Sequence, residues 1–308
     1  MRLRTSLAFL ACLAAFAGLC PGGSTESDGP DYPSKADKQE RRKLDELDKQ
    51  IDGFAVYTRK GHVWKVTIGD WSAKDLGKGD FARIAPDGKH IAVLDGDTVY
   101  VMNADGSERK KLTDGARKSR NCPLEFHANS REIIYGTKNG FRAVDIKSRK
   151  SRDMNLPGKY AEEPSISADG KKLAARWGKD LYAVDIPAGK HRKFARGCSS
   201  NVSPDGKHLL NNNGGHRTVT IQSWDGKKKQ KLDNRSMKPD RQWDNHHWSN
   251  HVDYFCAQGE RGPVEAYVVH VPSKTVTRIS FNGHAVYPDL WVSPEQADKK
   301  TEEDAKSE

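Results

Sequence analysis

Ala85-Pro86-Asp87-Gly88-Lys89, Ser167-Ala168-Asp169-Gly170-Lys171 and Ser203-Pro204-Asp205-Gly206-Lys207 are three copies of one phrase. Each is followed by an apolar run: Ile91-Ala92-Val93, Leu173-Ala174-Ala175 or Leu209-Leu210. Glycine supplies the positive φ of a tight turn, and aspartate bonds the local backbone, so the phrase reads as a hairpin turn between two strands. A turn that recurs together with its following strand makes the chain an array of one unit.

Degenerate copies extend the array. Aligning Asp87 with Asn129, Asp169, Asp205, His251 and Glu295 gives steps of 42, 40, 36, 46 and 44 residues. A period near forty with about four short strands per unit is the pattern of a β-propeller blade. The second half of the unit repeats as well. The strand Thr98-Val99-Tyr100-Val101-Met102 has counterparts beginning at Val63, Phe141, Leu181, Val219 and Ala266. The two sets are offset. The Val63 copy lacks a first strand before it, and the strand Tyr287–Val292 lacks a third strand after it. The expected fold is therefore all-β: a six-bladed β-propeller over residues 53–295, with the C-terminal strand completing the N-terminal blade. Closure removes the two exposed sheet edges of an open array.

The Ser-Pro-Asp-Gly-Lys turn with its apolar strand, and the run Val99-Tyr100-Val101-Met102-Asn103-Ala104-Asp105-Gly106-Ser107, resemble TolB-type (WD40-like, PD40) propeller repeats. The resemblance covers roughly Gly53 to Glu295 and implies the propeller fold. It implies less about function, because such repeats serve binding proteins, peptidase partners and some enzymes.

The ends of the chain read differently. Arg2 and Arg4 precede the apolar stretch Leu7–Leu19, which is short for a membrane span and is followed by polar residues, so residues 1–19 read as a secretory signal peptide. The expected protein is exported: periplasmic, in the cell envelope, or extracellular. Cys20 offers a rival, a lipid anchor, but Leu19 stands where that cleavage prefers a small residue. Residues 20–52 read as a linker and a short charged helix, with Leu44, Leu47 and Ile51 on one stripe. Residues 296–308 read as a charged tail. Once the leader is removed, Cys122, Cys198 and Cys256 remain, an odd set that reads as buried free thiols, with a single Cys122–Cys198 bridge as the alternative.

The formal charge of the 308-residue chain is +10. No nucleic-acid motif or aromatic-interleaved basic groove accompanies it, so nucleic acid is not an expected partner. A protein or an anionic glycan is. The Asp-Gly turns lie on one face of a propeller, and the connections between blades lie on the other, around the channel mouth. Those connections supply the candidate ligand-binding residues: Asp80, Arg83, Asn121, Glu163, Asn201, Trp243, His246, His247, Trp248, His251, His284 and Tyr287. The segment Trp243–Trp248 and the following Ser249-Asn250-His251 depart furthest from the repeat, which marks a site-specific demand. Aromatics beside His and Asn suit stacking and hydrogen bonding to sugars.

No cofactor is expected on the leading reading, that of an exported binding or scaffold propeller. The alternative is a metal-assisted lyase or hydrolase acting on acidic oligosaccharides. Its single divalent ion would be held by His246, His247, His284 and Glu163. The chain is broadly similar to certain polysaccharide-lyase propellers, which place a His-bound metal and a catalytic base in the central cavity. No Gly-x-Ser-x-Gly elbow and no phosphate-binding glycine loop is present.

Overall fold

A computed structural model describes residues 35–71, 73–156, 158–233, 242–261, 264–281 and 283–294. The segment read as a signal peptide, Cys20, most of the expected linker, Glu295 and the expected tail over 296–308 lie outside the described residues.

The strands form six four-stranded antiparallel sheets, five of which run outward in chain order from an inner strand to an outer one. We number these blades one to six. The inner strands of blades two to six are Phe81–Ile84, Leu124–Phe126, Ala161–Ile166, Cys198–Val202 and Trp243–Trp248. Blade one takes its inner strand, Val286–Val292, from the other end of the chain. It pairs antiparallel with Gly53–Arg59, setting Val292 against Gly53, Leu290 against Ala55 and Asp289 against Val56. The C-terminal strand thus closes the ring and gives blade one the same four strands as the others.

Each seam between neighbouring blades holds its own apolar cluster. Phe54, Val56 and Val63 of blade one meet Ile84, Ile91 and Val93 of blade two. Phe81, Leu94 and Val101 meet Leu124, Phe126 and Tyr135 at the next seam. Four more clusters continue around the ring. This follows from strands whose two faces are both covered: inner and second strands such as Phe81–Ile84 and His90–Asp95 are apolar at successive positions rather than alternately.

The helix Lys38–Gln50 fills the seam where the ring closes. Asp37 caps it, accepting from the N–H groups of Gln39 (2.8 Å) and Glu40 (2.9 Å), while the Glu40 carboxylate accepts from Asp37 N–H (3.0 Å). Its buried stripe, Leu44 and Leu47 with Ile51 just beyond, joins Trp64, Tyr254, Val268 and Phe281 in one cluster. Glu40 also pairs with Arg278 (3.1 Å) on the outer strand of blade six. Truncating Leu47 to alanine is expected to cost the whole domain about 2–5 kcal/mol, the usual range for a buried leucine. Urea unfolding should show a lower midpoint in a single transition. Two separate transitions would mean that the helix is a detachable appendage.

The repeated turns are structural. Gly88, Gly170 and Gly206 have φ of +69°, +71° and +67°. Asp87, Asp169 and Asp205 each accept from the N–H two residues on at 3.0 Å. In the copy that breaks the phrase, His251 takes the same part: its Nδ1 faces the N–H of Asp253 at 3.2 Å. The geometry survives where the wording does not.

Candidate functional site

The inner strands of four blades carry a bulge near the mouth of the channel. Glu163, Ser199, Asn245 and Tyr287 sit at φ of 50°, 56°, 48° and 54°, and the ladder skips at each. A bulge re-aims the residues beside it. In blade six it separates Asp244, which faces blade five, from His247, which faces the axis.

His247 is the centre of a buried ionic cluster. Its Nε2 lies 2.7 Å from Glu125 on the inner strand of blade three, and its Nδ1 lies 2.9 Å from Asp289 on the closing strand. Asp289 further accepts from the N–H of Ile84 (2.8 Å) and of Leu290 (2.8 Å), and Glu125 accepts from Phe126 N–H (2.8 Å). Arg83, 5% exposed, supplies a second cation to the same region and donates to the Ala82 carbonyl. Burial, the largest influence on His247, disfavours its charge, and so does Arg83. The carboxylates of Asp289 and Glu125 outweigh both, and the imidazole pKa is raised. Burial alone would raise the Asp289 pKa, but the His247 charge and hydrogen bond, Arg83 and the Ile84 N–H hold it down. Two cations and two anions therefore join four blades at the axis.

Glu163 lies one blade along. It is 8% exposed, pairs with Arg176 at 3.1 Å and accepts from Ser200 N–H at 3.1 Å. Burial pushes its pKa up to about 7, although Arg176 and the Ser200 N–H pull the other way. Asn121 donates to Glu162 (2.8 Å), tying the connection after blade two to blade four. Asn201 bridges blades five and six, donating to the His246 carbonyl (2.7 Å) and accepting from Trp248 N–H (3.1 Å).

The aromatic candidates divide. Trp243 is fully buried and stacks on Tyr267 with ring centroids 5.7 Å apart, so it offers no platform to a sugar. Trp248 donates from its indole to the Val252 carbonyl and borders a cavity of about 80 Å³. That cavity opens on the Asp-Gly turn face among Pro86, Ala168, Pro204 and Asn250, and reaches Glu125, His247 and Asp289. His246 is buried against Phe255, while His284 is exposed in the connection before the closing strand. Among the described residues, His246, His247, His284 and Glu163 do not gather their ligand atoms into one group.

Asp80 and Tyr287 meet on the connection face. They border a hollow of about 560 Å³ between blades one and two, with Arg59, Lys60, Phe81 and Lys118 around them. Tyr287 packs on Phe81 (4.4 Å between centroids) and donates to the Arg120 carbonyl (2.6 Å). Lys60 and Lys118 are exposed at the rim.

Several residues of these sites are absent from the sequence-based candidates: Glu125, Asp289, Arg176 and, at the seam of blades five and six, Cys198, His216 and Asp244. The three cysteines are free and buried, and no Cys122–Cys198 bridge forms. Among the described residues no helix is long and apolar enough to cross a membrane.

Comparison with solved structures places the fold. The chain is similar to TolB from Acinetobacter baumannii at 17% identity and a TM-score of 0.60, over 77% of this chain and 66% of that one. It is similar to a TolB-type protein from Agrobacterium tumefaciens at 13% identity and a TM-score of 0.53, over 79% of this chain and 99% of that one. A chain from a nidogen/laminin complex matches at 7% identity and a TM-score of 0.59, over 77% of this chain and 97% of that one. The fold is that of a TolB-type six-bladed propeller, and this chain spans just under two thirds of the Acinetobacter protein. No protein-family model and no curated protein sequence matches the chain.

Proposed function

We propose that this chain is an exported binding propeller, and that it takes an anionic ligand, an acidic protein segment or an acidic glycan, in the hollow between blades one and two. The observation that carries the reading is the hollow itself. It is the largest of the cavities described above, with Lys60 and Lys118 on its rim, Arg59 in its wall and the Tyr287 ring beside them. Cations around a partly apolar recess favour a ligand that brings both negative charge and a flat or apolar face. The net charge of +10 strengthens the attraction at a distance. Export rests on the apolar Leu7–Leu19 stretch behind Arg2 and Arg4.

The lyase alternative has less support. Its ligands, His246 or His247 with His284 and Glu163, do not bring their ligand atoms into one group among the described residues, and both ring nitrogens of His247 face carboxylates at 2.7 and 2.9 Å. A ring so committed is a structural cation.

Titration calorimetry with a polyuronate and with an acidic peptide tests the proposal. At least one should bind, and Lys60→Glu with Lys118→Glu should weaken it by about tenfold or more, a change of about 1.4 kcal/mol. Added salt should weaken the wild type more than the variant. A double variant that binds as tightly as the wild type would place the ligand elsewhere.

A further inference from the structure

Where blade five meets blade six, three side chains with electron pairs to give face one another. Cys198 opens the inner strand of blade five, and its sulfur lies 3.2 Å from His216 Nε2 and 3.3 Å from Asp244 Oδ1. One ligand atom from each of the three falls within 4.8 Å of the others. His216 is held from behind, with its Nδ1 2.7 Å from the Glu260 carboxylate. With Nδ1–H donating to the Glu260 carboxylate, the Nε2 lone pair faces the sulfur, the carboxylate–histidine arrangement that orients metal ligands. We propose that Cys198 Sγ, His216 Nε2 and an Asp244 carboxylate oxygen bind a divalent transition-metal ion of the zinc class, stapling blades five and six on the connection face.

Spacing, proton count and charge all point the same way. A tetrahedral ion with bonds of about 2.0 Å to nitrogen or oxygen and about 2.3 Å to sulfur sets its ligand atoms about 3.5 Å apart. The observed 3.2 and 3.3 Å need only a small outward movement to admit it. The thiol carries one proton for two acceptors, and Asp244 is also served by Ser199 Oγ at 3.0 Å. Asn212 Nδ2 donates to the same Asp244 oxygen at 3.4 Å, so the unmet lone pairs are those of the sulfur and His216 Nε2, and a cation serves both. Beside the three stands His246, 2% exposed, with neither ring nitrogen hydrogen-bonded. It lies two residues from Asp244 on the same inner strand. The seam therefore holds an uncommitted buried donor as well as the three converging ligands, and the fourth position of the ion is open to water.

The same atoms have a rival reading. A thiol, an imidazole and a carboxylate in file, Cys198–His216–Glu260, resemble the order of a nucleophile, its base and the group that orients the base. Asp244 argues against it. Burial pushes the Cys198 thiol pKa up, and the neighbouring Asp244 and Glu163 carboxylates push it further. A nucleophilic cysteine needs the opposite surroundings. With a metal bound, the thiol proton leaves to solvent, and the thiolate and carboxylate are both neutralised by the ion.

The test uses the full chain, stripped with a chelator and titrated with cobalt(II). The wild type should take up one equivalent and develop the near-ultraviolet sulfur-to-cobalt charge-transfer band, which excess zinc abolishes. Cys198→Ser should lose that band. Glu260→Gln, a change at a partly exposed side chain, should keep the fold and the band while weakening affinity by about 10–100-fold. Wild-type protein that binds cobalt without the band, or not at all, overturns the proposal. So does a Cys198→Ser variant that retains the band. Rapid alkylation of Cys198 at neutral pH in the stripped protein would instead support the nucleophile reading and equally overturn this one.

Discussion

A chain ended at Ala285 fails to fold cooperatively. The strand Val286–Val292 is last in sequence but innermost in blade one, hydrogen-bonded to Gly53–Arg59 along its length. Its loss uncovers the seam with blade six, where Leu290 and Val292 are each only 2% exposed, and takes Trp291 from the seam with blade two. Burying each such side chain is worth about 1.5–3 kcal/mol. It also takes Asp289 from His247, and breaking a buried ion pair costs about 3–5 kcal/mol. Together these losses are comparable with the 5–15 kcal/mol that separates a folded domain from its unfolded chain. Urea unfolding followed by tryptophan fluorescence should show no sigmoidal transition for the shortened chain. A transition at the full-length midpoint would mean that blade one stands on three strands and the ring need not close.

Replacing His247 by leucine lowers stability by about 3–5 kcal/mol, because Glu125 and Asp289 are left buried without the cation between them. In a domain of this size each kcal/mol moves the melting temperature by about 2–4 °C. The effect depends on pH with a definite sign. The folded pKa of His247 is raised above its ordinary 6.5, so its contribution is complete below about pH 6.5 and fades as pH rises through the folded value. The gap between wild type and His247→Leu should therefore narrow toward alkaline pH. Glu163, raised from 4.5 to about 7, slopes the same way at lower pH but is common to both chains and cancels from the difference. Adding Glu125→Gln to His247→Leu should recover part of the loss, since one unpaired charge is removed. A single variant within about 0.5 kcal/mol of wild type, the size of an ordinary surface change, would show the cluster to be energetically idle.

The fold was legible because its unit repeats: a turn with Gly at positive φ and Asp on the local backbone, then a strand apolar on both faces. Even the offset between first and third strands carried the closure, since an unpaired strand at each end has one economical partner. The site was not legible in the same way. Glu125 and Asp289 occur once each, in Leu124-Glu125-Phe126 and Pro288-Asp289-Leu290, and lie 122 and 42 residues from His247. Only closure of the ring brings them together. The available signal was the charge itself, an acid or an arginine amid inner-strand apolar residues, as in Phe81-Ala82-Arg83-Ile84. The segment Trp243–Trp248 did stand out, but its residues part company in the structure. Trp243 goes to the core, Asp244 to the seam with blade five and His247 to the axis, because the bulge at Asn245 turns the strand between them.

The proposed ligand-binding role turns on where an anionic ligand sits. Hydrogen exchange on the full chain, with and without a saturating polyuronate or acidic peptide, locates it most directly. Protection is predicted at residues 58–61, 79–81, 96, 118–119 and 286–287, which line the hollow between blades one and two. Protection confined to the Asp-Gly turns around Pro86, Ala168 and Pro204, or no binding of either ligand, would contradict it.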